Sequence, residues 1–147
     1  MLIFLDIDGV LVSAAHWKTP VLMEDGFPVF LAKAVESLNS LISSDTEIIL
    51  STSHRDRFSL QDWKDVFKKR GIIVKHLDKL PSSHQNRKRK NEIQDWFASN
   101  NKPERFLIID DDKSLYDLPK DLKEHLIITD PIIGLTKDKL KKLEVRV

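Results

Sequence analysis

Short apolar runs alternate along this chain with stretches in which apolar residues recur every three or four positions. Runs of the first kind predict buried strands, and recurrence of the second kind predicts helices. The predicted strands cover residues 2–5, 47–50, 72–74, 106–109 and 126–128. The predicted helices cover residues 29–43, a stretch from Ser59 or Asp62 to Gly71, residues 92–99 and a last basic stretch after Thr136. This alternation predicts an α/β fold, namely a Rossmann-like three-layer αβα sandwich with a central parallel sheet of about five strands.

Residues 12–29 show no sustained hydrophobic period. The segment contains Pro20, Pro28 and an Asp25-Gly26 pair, which are typical of turns. It predicts a loop or a small flap and leaves no room for a separate cap domain. The whole chain, residues 1–147, is therefore predicted to be a single domain.

The composition narrows the possible functions. Of the 147 residues 41% are hydrophobic and 32% are charged, which indicates a soluble globular protein with a proper core. The net charge of +1 gives no overall field that would attract nucleic acid or membrane. The absence of cysteine excludes disulfides, thiolate zinc sites and thiol catalysis. No apolar stretch is long enough for a membrane span and no signal peptide precedes the first strand, so a cytoplasmic protein without membrane contacts is expected.

The first strand ends in two carboxylates. Asp6 and Asp8 lie on the same side of the strand because side chains alternate with a period of two. Two carboxylates at the end of a buried strand repel each other unless a cation lies between them, and Mg²⁺ prefers such oxygen ligands. Gly9 then allows the chain to turn sharply away.

Two further polar groups follow predicted strands. Ser51-Thr52-Ser53 offers hydroxyls and backbone N–H groups to an anion, or simply caps a helix, and the planar fork of Arg55 suits a phosphate or is a surface charge. Three consecutive carboxylates, Asp110 to Asp112, follow the fourth strand. The carboxyl ends of parallel strands meet at one edge, where ligands bind in open α/β sheets.

The run Arg87-Lys88-Arg89-Lys90 is a solvated face or a patch that contacts phosphates. Lys90 opens a stretch with helical periodicity.

Together these motifs resemble the haloacid dehalogenase (HAD) superfamily of aspartyl-phosphate phosphohydrolases. The stretch DIDGVL resembles the first motif of that superfamily, DxDGx, and LSTS resembles the second motif. The stretch KNEI resembles the third motif, which carries a lysine, and IIDDD resembles the acidic fourth motif. The order FLDIDGVL, ILSTSHR, NEIQDWF, FLIIDDD and TDPIIGLT is more narrowly similar to small HAD domains grouped with RNA-repair proteins. Two positions depart from that subgroup: His54 stands where a Trp is expected, and Lys90-Asn91 where a Gly is expected.

The resemblance implies a role for each motif. Asp6 would be the nucleophile and Asp8 the general acid/base. Thr52, with Ser51 as the alternative, would hold the phosphoryl group. Lys90 would neutralise it, with Lys88 and Arg89 as alternatives. The residues implied to bind substrate are Ser51, Arg55, Gly9 and Lys88. The residues implied to bind Mg²⁺ are Asp6, Asp8, Asp110 and Asp111, where Asp111 is a direct ligand and Asp110 assists. Asp112 is expected to cap the next helix.

The resemblance implies Mg²⁺-dependent hydrolysis of phosphomonoesters through an aspartyl-phosphate. An open site beside a short flap and a basic run favour a large substrate, such as a phosphorylated RNA or DNA end, with His16 and Trp17 near its entrance. One alternative is a binding module that contacts RNA or protein through Arg87–Lys90 without catalysis. A CheY-like receiver is another, although its phosphorylated Asp normally lies on a later strand.

Overall fold

A computed structural model describes residues 1–15, 17–82 and 87–144, so that His16 and His84 lie outside the described residues. Five strands form one parallel sheet in the order β3-β2-β1-β4-β5. The strands are β1 (Leu2–Leu5), β2 (Glu47–Leu50), β3 (His76–Lys79), β4 (Phe106–Asp110) and β5 (Leu126–Ile128). The helices are α1 (Ala32–Leu41), α2 (Leu60–Lys69), α3 (Arg89–Ser99), α4 (Lys120–Lys123) and α5 (Lys137–Glu144), with a 3₁₀ helix at Lys113–Asp117.

Helices cover both faces of the sheet, which confirms the predicted three-layer αβα architecture. On one face, Ile3 and Leu5 pack with α1, α2 and α5 in a core that includes the fully buried Trp63. On the other face, Leu2 and Phe4 pack with α3, the 3₁₀ helix and α4. Because alternate residues of β1 face opposite cores, its near-continuous apolar sequence follows from burial on both sides.

β1 lies in the centre of the sheet between β2 and β4. Leu5 is in register with Leu50 of β2 and with Ile109 of β4. All three strands therefore end at the same level, and the residues that follow them meet at one edge of the sheet. This register fixes the position of the polar residues described below.

The segment 12–29 folds as a flap on the α1–α2 side. Leu22 and Pro28 form an antiparallel bridge, and Phe27 is buried against the ring of Trp63 at a centroid distance of 5.3 Å. Asp25 accepts hydrogen bonds of 2.7 and 2.9 Å from the guanidinium of Arg70, which follows α2. The Phe27 ring and the bidentate ion pair tie the flap to the core, and Arg70 also donates hydrogen bonds to the carbonyls of Phe27 and Pro28.

This ion pair predicts a pH-dependent loss of stability in Asp25→Asn. The hydrogen bonds from Arg70 lower the pKa of Asp25 to about 2. A lowered carboxyl pKa stabilises the fold above the unfolded-state pKa, and this contribution is lost as the pH falls towards 2. We expect the substitution to reduce the free energy of unfolding by about 1–3 kcal/mol at pH 7, and the difference from the wild type to shrink steadily below pH 4. Urea unfolding of both proteins between pH 2 and pH 7 measures this difference in stability. Asp65→Asn is the control, because Asp65 is exposed. A difference that stays constant with pH would contradict the role given to the Asp25–Arg70 ion pair.

The third predicted strand was placed wrongly. Residues 72–74 lead into the sheet without joining it, and β3 lies just after them, at His76–Lys79. β3 is an edge strand that pairs with β2 alone, and of its four residues Leu77 is the one that is buried. A half-exposed edge strand lacks the apolar run typical of a central strand. Ile72 and Val74 are buried as core contacts of the connection, whereas Ile73 is exposed.

Two helix boundaries also differ from the prediction. α1 is shorter than 29–43, and α3 begins at Arg89, three residues before the predicted start at Glu92. The residue at the N-cap of α3 is Lys88, whose side chain makes no capping hydrogen bond. Without Ser, Thr, Asp or Asn at that position the sequence carries no marker for the start of this helix. Within the described part of the chain, no helix is long and apolar enough to span a membrane.

Candidate active site

The carboxyl end of β1 places Asp6 between two polar neighbours. The N–H of Ser51 donates to Leu5 O, and the N–H of Asp6 donates to Ile109 O, so the parallel register continues one residue beyond β1 and β2. Asp6 consequently lies beside Ser51 on one side and Asp110 on the other. Alternation puts all three residues on the sheet face that carries α3. All three are almost completely buried.

Three carboxylates meet at this point and could hold a metal ion. Oxygen atoms of Asp6, Asp110 and Asp111 all lie within 4.8 Å of one another. Burial raises the pKa of Asp6 well above its usual range, and the neighbouring Asp110 carboxylate raises it further. Burial also raises the pKa of Asp111. Buried carboxylates this close together fit a divalent cation with oxygen ligands, because the cation offsets their repulsion.

Arg89, in the first turn of α3, supplies positive charge to the cluster. Its guanidinium donates to Oδ2 of Asp110 and lies 3.5 Å from Oδ1 of Asp6. Although burial alone would lower the pKa of Arg89, the carboxylates of Asp110 and Asp6 raise it above its usual value. Arg89 therefore stays charged. Its Nε is buried and has no hydrogen-bond partner among the described residues.

Gly9 makes room for Asp111. A Cβ atom built on Gly9 would lie 2.0 Å from Oδ2 of Asp111, and the residue has a φ of +79°. Both facts require glycine at this position. Gly9, predicted to bind substrate, therefore shapes the site by allowing the Asp111 carboxylate to approach β1.

Gly9→Ala is expected to weaken Mg²⁺ binding as well as the fold. The added methyl group must displace the Asp111 carboxylate, which belongs to the proposed ligand set. Gly71→Ala is a matched control, because Gly71 also has a positive φ, +85°, but nothing lies within 4 Å of its added Cβ. Both variants should lose about 1–2 kcal/mol of stability from backbone strain, whereas only Gly9→Ala should lose Mg²⁺ affinity, by about tenfold or more. Mg²⁺ titration calorimetry measures this; equal affinities in the two variants would contradict it.

The two candidate hydroxyls have different surroundings. Oγ1 of Thr52 accepts a hydrogen bond from the N–H of His54 and so caps the turn after β2. Oγ of Ser51 is buried and has no hydrogen-bond partner among the described residues. A buried hydroxyl without a partner is costly, and a ligand oxygen beside Asp6 would satisfy it. This favours Ser51, the predicted alternative, over Thr52 as the hydroxyl that contacts a bound anion.

Asp8 lies outside the buried cluster. Its side chain is half exposed, and Nε2 of His54 lies 2.7 Å from its Oδ2. The His54 ring in turn packs edge-to-face on Phe27 of the flap at a centroid distance of 6.2 Å. Asp6 and Asp8 thus differ in environment. Asp6 is buried beside the Arg89 guanidinium and two further carboxylates, whereas Asp8 is half exposed beside His54.

A comparison with known protein families shows to which family the chain belongs. The family model described as "HAD domain in Swiss Army Knife RNA repair proteins" matches residues 2–140. The chain belongs to this HAD domain family. No curated protein and no solved structure matches the chain. The family assignment confirms the predicted relation to HAD domains of RNA-repair proteins.

In this HAD domain Arg55 is buried and connects separate segments of the chain through hydrogen bonds. Its guanidinium donates to four backbone carbonyls and to the carboxylate of Glu92 on α3. The accepting carbonyls belong to Leu80, Pro81, Ser51 and Thr52. Each of its nitrogen atoms is engaged, so the structure does not present Arg55 to the space beside Asp6. It connects the end of β2 and the segment after β3 to α3, which carries Arg89.

The basic run of the HAD domain divides into two pairs. Arg87 forms an ion pair with Asp95, and Arg89 points into the carboxylate cluster. Lys88 is exposed at the start of α3, and Lys90 is partly buried without an ion pair to the cluster. The structure therefore brings Arg89, rather than the preferred Lys90, to Asp6. The predicted basic patch is reduced to two lysines.

Sequence patterns did not single out three contacts of this HAD domain. Glu92 accepts from Arg55 and lies 3.9 Å from Nε of Arg89, so it holds both guanidinium groups. Thr129, which follows β5, donates a 2.6 Å hydrogen bond to the carbonyl of Gly9. The third is the pairing of His54 with Asp8. Each joins residues far apart in the chain or in different elements, so no local pattern marks it.

Asp112 behaves as predicted. Its side chain accepts a hydrogen bond from the N–H of Ser114 at the start of the 3₁₀ helix. It therefore caps that helix, and the cluster that could hold a metal ion consists of the other two carboxylates of the DDD run together with Asp6.

Proposed function

We propose that this HAD domain is a Mg²⁺-dependent phosphomonoester hydrolase that works through an aspartyl-phosphate on Asp6. The observation that carries the proposal is the environment of Asp6. It is a buried carboxylate with a second and third carboxylate within 4.8 Å and an arginine at 3.5 Å. Directly after the neighbouring β2 lies a buried hydroxyl that has no hydrogen-bond partner in the described part of the chain. Carboxylates, a cation and a hydroxyl donor around one nucleophile suit transfer of a phosphoryl group.

The residues divide the reaction between them. An oxygen of Asp6 forms a bond to phosphorus while the bond from phosphorus to the leaving oxygen breaks, and Asp8 donates a proton to that oxygen. Asp8 then accepts a proton from water as the water oxygen attacks phosphorus, which releases phosphate and restores Asp6. Arg89 and the Ser51 hydroxyl stabilise the charge on the phosphoryl oxygens.

The acidic cluster would hold the metal ion. Asp6, Asp110 and Asp111 are the side chains that would bind Mg²⁺, and the Asp8 carbonyl is the further ligand expected from the resemblance. Bound Mg²⁺ would act as a Lewis acid and reduce the repulsion between the carboxylates and the anionic substrate. Asp8's own carboxylate, beside His54, stays free for proton transfer.

The family description supports phosphorylated nucleic acid ends as the substrate class. The description names RNA repair proteins, and a strand end that carries a terminal phosphate ester is a substrate on which such a hydrolase could act. The flap leaves Asp8 half exposed, which suits a substrate that extends beyond the site.

Phosphate release tests the proposed function. p-Nitrophenyl phosphate and oligonucleotides with 3′- or 5′-phosphates are incubated with the protein, with Mg²⁺ or with a chelator. We expect hydrolysis that requires Mg²⁺ and that is faster for a phosphorylated oligonucleotide than for the corresponding mononucleotide. Absence of hydrolysis under all conditions would contradict the enzyme proposal, and equal rates for oligonucleotide and mononucleotide would contradict the substrate class.

A further inference from the structure

A groove runs from Asp8 along the flap, and none of the clustered carboxylates of Asp6, Asp110 and Asp111 borders it. It has a volume of about 630 Å³ and is bordered by Asp8, flap residues and Ile132. This volume lies within the usual range for binding sites of small organic ligands. It exceeds what a phosphoryl group needs.

The position of Asp8 connects this groove to the proposed chemistry. His54 engages Oδ2 of Asp8, which leaves Oδ1 available to a substrate. A general acid must contact the leaving oxygen. Since Asp8 forms one wall of the groove, a group attached to that oxygen extends into the groove.

The walls of the groove are apolar and include an exposed aromatic ring. Trp17 is 69% exposed, Val21 is 67% exposed, and Val29 and Ile132 are exposed as well. Exposed apolar side chains of this size gathered at one groove indicate a ligand surface rather than core packing. The indole of Trp17 offers a flat face on which a planar ring can stack.

The charge of the groove favours an anionic ligand over a cationic one. Lys18 lies in its wall, together with the hydroxyl residues Ser13 and Thr19. Apart from Asp8, none of the described residues that border it is acidic. A flat apolar surface with a lysine and hydroxyls suits a base attached to a sugar, where the base stacks and the polar groups contact the sugar and further phosphates.

From these observations we propose that the flap groove is a nucleobase subsite, in which Trp17 stacks on the base of the nucleotide whose phosphate lies at Asp6. This subsite rests on the proposed function, because the base is located relative to the leaving oxygen that Asp8 protonates. It assigns recognition of the terminal base to the flap, and it assigns Trp17 the role of a specificity-determining residue.

Two ligands that differ only in the base test the subsite. Adenosine 5′-monophosphate and ribose 5-phosphate share the same phosphate and the same leaving oxygen. Their affinities for Asp6→Asn are measured by calorimetry with Mg²⁺ present, which keeps the ligands intact. We expect the nucleotide to bind at least about tenfold more tightly, because stacking of one base contributes about 1–3 kcal/mol.

Variants of Trp17 in the same background assign the difference to the indole. Trp17→Ala should reduce the preference for the nucleotide to within about twofold, and Trp17→Phe should retain most of it. Ile133→Ala is the matched control, since Ile133 is 58% exposed beside Ile132 but does not border the groove. It should leave the preference unchanged.

The outcomes separate the two proposals. Equal affinities for the two ligands, or a preference that survives Trp17→Ala, would overturn the nucleobase subsite even if the wild-type protein hydrolyses phosphate esters. Tighter, Trp17-dependent binding of phosphotyrosine than of the nucleotide would also overturn it. A Trp17-dependent preference for the nucleotide supports the subsite, and if the wild-type protein then hydrolyses no phosphate ester, the hydrolase proposal alone fails.

Discussion

Asp6→Asn is expected to abolish phosphate release and at the same time to stabilise the metal-free protein. An amide is not a nucleophile for phosphorus, so turnover should fall by at least about 10³-fold, as expected when the nucleophile of a covalent mechanism is removed. The wild-type carboxylate is buried beside Asp110, and burial and that neighbour both raise its pKa. In the metal-free protein the Asp6 carboxyl therefore opposes folding near neutral pH, and the neutral amide of the variant removes this cost.

The two effects are measured together. Thermal unfolding in a chelator at pH 7 should give a higher midpoint for Asp6→Asn than for the wild type, and Mg²⁺ should raise the wild-type midpoint more than that of the variant. Asp112→Asn is the control, because Asp112 follows the cluster in sequence and its side chain caps the 3₁₀ helix. Residual activity within about tenfold of the wild type would contradict the covalent mechanism, and a lower metal-free midpoint would contradict the electrostatic account.

Arg89→Ala is expected to lower both the free energy of unfolding and kcat, whereas Lys90→Ala should change neither. Removing Arg89 leaves Asp6 and Asp110 without their shared cation, and breaking a buried ion pair from one side costs about 3–5 kcal/mol. Loss of the charge beside the phosphoryl oxygens should lower kcat by about 10²–10³-fold. Arg89→Lys restores the charge without the planar fork, so it should recover part of the activity.

The neighbouring lysine makes this a matched comparison. Lys90 belongs to the same turn of α3 and carries the same charge, but its ammonium forms no ion pair with the cluster. Urea unfolding and phosphate release are measured on Arg89→Ala, Arg89→Lys and Lys90→Ala. A larger loss of kcat in Lys90→Ala than in Arg89→Lys would return the phosphate-neutralising role to Lys90, as the sequence pattern first suggested.

The sequence was sufficient to predict the sheet edge at which the site lies. Asp6, Ser51 and Asp110 each follow an apolar strand, and parallel strands bring their carboxyl ends together, so no tertiary information was needed to expect them in one place. The edge strand β3 escaped prediction because just one of its residues, Leu77, is buried. Its polarity comes from its place in the sheet, which the local sequence does not encode.

Side-chain directions were not predictable in the same way. Arg89 and Lys90 are adjacent and carry the same charge, and which of them reaches Asp6 depends on where α3 begins. The start of α3 lacks a capping residue, so the sequence does not mark it. Arg55 could equally have been a ligand for phosphate. Its burial among carbonyl groups depends on Leu80 and Pro81, which β3 positions about 25 residues later.

The central position of β1 sets the order in which the molecule can assemble. β1 is the first strand of the chain, yet it pairs with β2, about 45 residues away, and with β4, about 104 residues away. Pairings of such long range delay folding, because the chain must close large loops before the contacts form. Until β4 arrives, Asp6 stays apart from Asp110 and retains its water. The repulsion between their carboxylates therefore arises when β1 and β4 pair.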